Sequence, residues 1–409
     1  MKKKGFTTTN LHSDRSDSPE HGVLHKAIHT SVAYGYADAR ELADVFQGKA
    51  AGYTYGRQVN PTVTALQNRI NHMEQGIATV AFATGMAAIG STLFALLRKG
   101  DHLISSAFLF GNTNSLFLTF QQLGIEVSFV DATDAANVKA AIKANTRLVF
   151  VETIANPVTQ VTDLKAIGEL CKQHKLLYCV DNTMTSPWLF QPRNVGASLI
   201  INALTKYIGG HGNALGGCVT DTGLFDWSAF PHLYDTYKKG DKALWGITQI
   251  RKKGLRDFGA SLGPEAAHHL AVGSETLSLR MDRSCHNAQQ LAEFCAQHPK
   301  IKQVYYPGLS NHPQHQLAKS LFSGFGALFS VDLADGVDCF ELLNRMTCVI
   351  SSSNLGDVRT LAIPVAHTIY YEMGAERRAS MGIADSMIRF SVGIEDTADL
   401  LEDFRQALV

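Results

Sequence analysis

Ala197-Ser198-Leu199-Ile200-Ile201-Asn202-Ala203-Leu204-Thr205-Lys206-Tyr207-Ile208-Gly209-Gly210-His211-Gly212 decides how this chain is read. The apolar run 197–201 predicts a buried β-strand. A polar turn follows, with one lysine and then a string of glycines. By itself Lys206 would be a surface loop lysine. Just upstream, however, Leu176-Leu177-Tyr178-Cys179-Val180 predicts a second buried strand, and it ends in Asp181-Asn182-Thr183. An aspartate ending one strand and a lysine ending the next suit pyridoxal phosphate (PLP). The carboxylate would keep the pyridine nitrogen protonated, and the lysine would carry the aldehyde as a Schiff base.

Outward from these strands, apolar runs alternate with amphipathic helices. Strands are expected at Thr79–Phe82, His102–Ser105, Glu126–Val130, Leu148–Val151, Leu176–Val180 and Leu199–Ile201. Such alternation predicts an α/β domain, a mostly parallel sheet with helices on both faces. The expected organisation is an N-terminal arm (1–60, one helix at Ala37–Phe46), a cofactor-binding α/β domain (61–255) and a smaller C-terminal α+β domain (256–409). In the last, a long helical stretch Pro264–Gln297 precedes a β-rich segment, Gly326–Leu333, and a closing helix, Thr397–Leu408.

With 409 residues, 45% hydrophobic and 18% charged, the chain can bury a substantial core. Lys+Arg and Asp+Glu both number 37, which gives no pull toward nucleic acid or membrane. The seven cysteines are scattered, without Cys-x-x-Cys or metal-ligand spacing. They fit a reducing cytoplasm and no metal site. Met1-Lys2-Lys3-Lys4 leads into no secretory apolar region, and no apolar stretch suits a bilayer.

Four further stretches carry chemistry. Strand Thr79–Phe82 runs into Ala83-Thr84-Gly85-Met86. Thr84 can cap a helix whose free N–H groups bind phosphate, and Gly85 permits close approach. Tyr53-Thr54-Tyr55-Gly56-Arg57 precedes Asn60-Pro61-Thr62, a turn opening a helix. Arg57 could clamp phosphate, with Tyr55 adding a hydroxyl. Glu152-Thr153-Ile154-Ala155-Asn156-Pro157 ends another strand, and Asn156 could bond the cofactor's phenolic oxygen. Met387-Ile388-Arg389-Phe390-Ser391 places an arginine inside an apolar alternation. Arg389 therefore needs an anionic partner, either a structural carboxylate or a substrate α-carboxylate.

At these residues the chain resembles the Cys/Met-metabolism family of PLP enzymes. That family includes O-acetylhomoserine sulfhydrylase, cystathionine γ-synthase, cystathionine γ- and β-lyases and methionine γ-lyase. The Tyr-Gly-Arg…Asn-Pro-Thr, Thr-Gly-Met, Asp-Asn-Thr and Thr-Lys-Tyr…Gly-His-Gly motifs occur in family order across nearly the whole chain. The resemblance implies PLP-dependent transferase fold type I, like aspartate aminotransferase. It implies Lys206 as the Schiff-base lysine and proton shuttle, Asp181 at the ring nitrogen, and Asn156 near the ring hydroxyl. Gly85, Met86, Thr183 and Thr205 would help bind the cofactor. Tyr55 and Arg57 would reach a neighbouring subunit's phosphate, in a homotetramer built from two dimers with shared sites. Arg389 and Asn354 would bind substrate. Phe110–Phe117, Ile208–Gly212, Leu255–Ala260 and Ser353–Asp357 look most like the sulfhydrylases.

Three departures lie near the implied pocket. Phe110 stands where the family usually has a tyrosine stacked on the cofactor; stacking survives, but the hydroxyl that can act on the leaving group does not. Ala203 replaces a phosphate-binding serine. Pro364-Val365-Ala366-His367-Thr368-Ile369 replaces the usual Pro-Ala-Ser-x-Thr-His. Tyr53, Tyr55 or His367 are candidates to supply the missing hydroxyl's function. The leading expectation is γ-replacement on O-acetyl- or O-succinylhomoserine with sulfide or a thiol. A cystathionine or methionine γ-lyase and a catalytically altered PLP-binding regulator are the alternatives. No Gly-x-Gly-x-x-Gly opens the first helix, which sets aside a nicotinamide dehydrogenase.

Overall fold

Leu148 and Phe150 face one side of their strand and Val149 and Val151 the other, and both sides are buried. Leu177 and Cys179 alternate with Tyr178 and Val180 in the same way. A sheet covered on both faces makes such strands continuously apolar, which is why they read so plainly. The computed structural model describes residues 4–13 and 20–409.

The larger sheet has seven strands: β1 (Ala78–Phe82), β2 (His102–Ser106), β3 (Glu126–Val130), β4 (Thr146–Glu152), β5 (Leu177–Asp181), β6 (Leu199–Asn202) and β7 (Gly217–Asp221). Their spatial order is β1-β7-β6-β5-β4-β2-β3. β7 runs antiparallel to both neighbours, and the other pairs are parallel. The second sheet comprises β8 (Ile301–Tyr305), β9 (Leu328–Leu333), β10 (Ile350–Ser351), β11 (Leu361–Pro364) and β12 (Ile388–Ser391), in the order β10-β11-β12-β9-β8. It packs on helices Leu277–Ala296 and Thr397–Ala407 through its own apolar core, in which Phe329, Phe390 and Phe404 meet.

Helix starts follow local chemistry. In the arm, α1 (Phe6–His12) precedes α2 (Ala39–Phe46), so the arm holds a second helix beyond the expected one. α3 (Pro61–Glu74) opens with proline, and Asn60 Oδ1 accepts the N–H groups of Thr62 and Val63. α4 (Gly85–Leu96) is capped by Thr84, whose Oγ1 accepts Ala87 N–H at 3.0 Å. α5 (Gly111–Gln122) follows Phe110.

The stretch expected as one helix over 264–297 is two, Pro264–Ser274 and Leu277–Ala296. Arg280 explains the break: its guanidinium takes Gly273 O at 2.8 Å and Thr276 Oγ1 at 3.1 Å, bonding a carbonyl at the break. β7, β8, β10 and β11 were not expected either. Among the described residues no helix is long and apolar enough to cross a membrane.

Candidate active site

β4, β5 and β6 end side by side, and their C-terminal turns line one cavity of about 680 Å³. Register fixes who meets whom: Glu152 at the end of β4 pairs with Asp181 at the end of β5, and Asp181 with Ile201 of β6. Crevices at the carboxyl ends of strands are where open α/β sheets bind ligands. Of the expected site residues, Lys206, Asp181, Phe110, Gly85, Met86, Asn156, Thr183, Thr205, Asn354 and Arg389 all line this cavity.

Lys206 Nζ donates to Asn354 Oδ1 at 2.7 Å. Burial, aided by the charge on Arg389, lowers its pKa to about 8. About a tenth of this amine is therefore uncharged at pH 7, far more than of an ordinary lysine, and the neutral form is the nucleophile. Arg389 is almost wholly buried, and its Nη2 donates to the carbonyls of Ser353 (3.1 Å) and Asn354 (2.9 Å). Its Nη1 lies 3.5 Å from Asn156 Oδ1, and its Nε has no partner. Among the described residues it forms no ion pair, so a structural carboxylate is not what holds it.

Thr183 ties the two turns together. Its N–H donates to Asp181 Oδ1 at 2.9 Å, and its Oγ1 accepts Ala203 N–H at 2.8 Å. Burial raises the Asp181 pKa, and Thr183 opposes that only in part. Beside it, Glu152 Oε1 accepts Phe110 N–H at 2.8 Å. Burial and the neighbouring Asp181 charge raise Glu152 to about 8. Sequence reasoning passed over Glu152. The signal was present in the quoted stretch, but only the strand register shows the two carboxylates meeting.

At the cavity's other wall, Thr84 takes Ala87 N–H and leaves the first N–H groups of α4, at Gly85 and Met86, for an anion. A Cβ on Gly85 would lie 2.8 Å from Ala203 Cβ, so α4 approaches the lysine turn as closely as glycine allows. Thr205 Oγ1 accepts Gly216 N–H at 2.9 Å, so part of its bonding capacity is already used. The donor set fits PLP: an amine for the aldehyde, a carboxylate for the ring nitrogen, a helix N-terminus for the phosphate, and a guanidinium at the cavity wall for a carboxylate.

Tyr55 and Arg57 do not line the cavity of their own chain. Tyr55 is exposed, Arg57 lies over its ring at 5.5 Å, and the guanidinium donates to Arg256 O. Tyr53 packs on Tyr34. His367 is exposed, with Nε2 3.1 Å from Asp385 O and its ring against Phe340. Within one chain, therefore, neither Tyr53, Tyr55 nor His367 takes the place of the hydroxyl that Phe110 lacks.

The sequence profile of the Cys/Met metabolism PLP-dependent enzymes matches residues 7–409. An L-methionine γ-lyase of Fusobacterium nucleatum subsp. polymorphum is 37% identical over 412 residues, covering 100% of this chain and 98% of its own. A homocysteine synthase of Schizosaccharomyces pombe is 33% identical over 424 residues, covering 100% and 99%. Among solved structures, a Campylobacter jejuni chain superposes with a TM-score of 0.92 at 30% identity, over 99% of this chain and 100% of that one. That chain is provisionally assigned as an O-acetylhomoserine (thiol)-lyase, and it holds N'-pyridoxyl-lysine-5'-monophosphate. The fold is the one expected, PLP-dependent transferase fold type I, and PLP is the cofactor.

Proposed function

The chain belongs to the family of Cys/Met metabolism PLP-dependent enzymes, and we propose that it replaces the γ-substituent of an activated homoserine. The substrate in this reading is O-acetyl- or O-succinylhomoserine. Sulfide or a thiol displaces the ester, giving homocysteine or cystathionine. The Cγ–O bond breaks with its electron pair leaving on the carboxylate, the Cγ–S bond forms, and the thiol proton is released. When bound, PLP supplies an aldehyde for the substrate amine and a ring that accepts electron density from Cα.

The protein's own groups divide the remaining work. Arg389, at the cavity wall, binds the α-carboxylate through its guanidinium. Lys206, released from Asn354, takes the Cα proton and then moves a proton at Cβ. Asp181, steadied by Thr183, holds the ring nitrogen's proton. Met86, Ile89, Leu215, Leu355 and Ile369 wall the cavity and exclude water. Tyr55 and Arg57 serve the neighbouring subunit of a dimer, two of which make the tetramer.

One observation carries the choice of reaction: among the described residues of one chain, no phenol, imidazole or thiol lines the cavity beside Phe110, and the carboxyl there, Glu152, is bonded to Phe110 N–H. A carboxylate ester departs as a stable anion. A thiolate leaving group gains from a donated proton, and general acid help is worth about 10²–10⁴-fold. Esters should therefore turn over much faster than cystathionine or methionine, and Phe110→Tyr should narrow the gap by raising the thioether rate. Mass-spectrometric product analysis of acetyl- and succinylhomoserine, cystathionine and methionine, with and without sulfide, tests this. The similarity to an L-methionine γ-lyase favours a second reading, a C–S lyase that releases a 2-oxo acid and ammonia. A wild type that prefers methionine or cystathionine, with or without sulfide, would put that reading first.

A further inference from the structure

Glu74, the last residue of α3, is fully buried behind the cavity. Its Oε1 accepts two N–H bonds, from Asn182 Nδ2 at 3.0 Å and from Asn202 Nδ2 at 2.7 Å. Asn182 directly follows Asp181, and Asn202 closes β6 ahead of the Lys206 turn. One carboxyl oxygen thus touches both turns that carry the site.

Two oxygens of this cluster have no partner, Glu74 Oε2 and Asn202 Oδ1. While Glu74 is ionised both are acceptors, and neither can satisfy the other. Asn202 already gives an N–H to one end of the Glu74 carboxyl. A proton on the other end would supply the donor that Asn202 Oδ1 lacks and so close an amide–acid pair. Among the described residues no cation is bonded to Glu74. Cys218, register-paired with Asn202, is held as a neutral thiol by burial, and Asp181 beyond Asn182 is itself raised by burial. Burial pushes Glu74 up to about 7.

We propose that Glu74 is a neutral carboxylic acid closed in a pair with Asn202, and that it is the positioning residue that fixes the Asp181 turn against the Lys206 turn. Two other bonds join those turns, Asn182 N–H to Ile201 O at 2.8 Å and Ala203 N–H to Thr183 Oγ1. Both act near the strand ends, whereas Glu74 braces the turns from behind. Asn182 keeps a second acceptor, Phe190 O at 3.0 Å, but among the described residues Asn202 Nδ2 bonds only to Glu74. Loss of Glu74 therefore falls on the lysine side.

The proposal rests on PLP binding at these two turns, which uptake of PLP by the wild type tests separately. The experiment compares wild type, Glu74→Gln and Glu74→Leu. The wild-type-minus-Gln infrared difference spectrum, taken below neutral pH, should show the carbonyl stretch of a protonated carboxylic acid. Glu74→Gln should keep the visible circular dichroism of bound PLP and the wild-type kcat, because its amide can make both bonds of the pair. Glu74→Leu should change that dichroism and lose about ten- to a hundredfold in kcat with little change in KM, as expected of a misplaced catalytic group. The proposal is overturned if the carbonyl band is absent, or if folded Glu74→Gln loses the cofactor signal. It is equally overturned if Glu74→Leu lowers thermal stability but keeps the wild-type dichroism and kcat, which would make Glu74 structural only. Should Glu74→Leu not fold, the infrared band and Glu74→Gln decide alone.

Discussion

Buried charges are treated in two ways in this molecule. Away from the cavity, Arg69, Arg280 and Asp403 are bonded within the chain. Arg69, 1% exposed, meets Glu275 at 3.1 Å and Ala271 O at 3.1 Å. Arg280 bonds the carbonyls of Tyr207, Ile208 and Gly273. Asp403 accepts five bonds, from Thr347, Cys348, Val349 and Gln406. At the cavity, Lys206, Asp181, Glu152 and Arg389 each have few protein partners and, among the described residues, no ion pair. An ion taken out of water without compensation costs several kcal/mol, a cost that a ligand of complementary charge offsets. The difference teaches where the function lies: the charges that the fold leaves unanswered are those that PLP and an amino acid answer in the proposed reaction.

Arg389 offers the strongest way to break the comparison. Truncating one partner of a buried, hydrogen-bonded charge pair costs about 2–5 kcal/mol, so Arg389→Leu should lower kcat/KM about 30- to several-thousandfold. Thermal melting should change little, because no carboxylate of the chain is left behind. A large melting loss with normal kcat/KM would make Arg389 a structural cation like Arg280.

Asp181→Asn comes next. It keeps the shape but loses a charge-assisted bond to the ring nitrogen, worth about 1.5–3 kcal/mol, or about ten- to a hundredfold in kcat. Near-normal turnover would contradict the assignment.

Lys206 sharpens the comparison through pH. Its lowered pKa means that the reactive neutral amine forms at lower pH than on an ordinary lysine. PLP capture by the apoprotein should therefore speed up as pH rises, with a midpoint near 8. A midpoint near the ordinary lysine value would show that the amine is not desolvated. The smallest effect on activity is expected from the other region. Arg69→Met should leave kcat unchanged and cost about 1–3 kcal/mol of stability, less than a fully buried pair because Glu275 is 21% exposed.

The parallel strands and the turns bearing Asp181 and Lys206 were legible because sheet burial on both faces writes an unbroken apolar run that stops abruptly at a polar residue. β7 was not, since Gly217-Cys218-Val219-Thr220-Asp221 mixes small and polar residues that are buried by antiparallel neighbours. β8 hid because it is an edge strand with Lys302 and Gln303 exposed, and β11 because it is short and ends in Pro364. Thr84, Asn60 and Pro61 announced their helices through capping chemistry that acts within a few residues. Glu152 and Glu74 depend on partners brought in by the sheet, Asp181 for one and Asn182 and Asn202 for the other. Nothing near either glutamate in the chain marks it as more than an acid at a strand or helix end.

The central claim is that the unanswered charges around Lys206 form the PLP site. Borohydride reduction of the holoprotein followed by peptide mapping tests it most directly. The account predicts one pyridoxyl-labelled peptide, carrying the label on Lys206, and no label in Lys206→Ala. Labelling of a different lysine, or stoichiometric labelling that survives in Lys206→Ala, would contradict it.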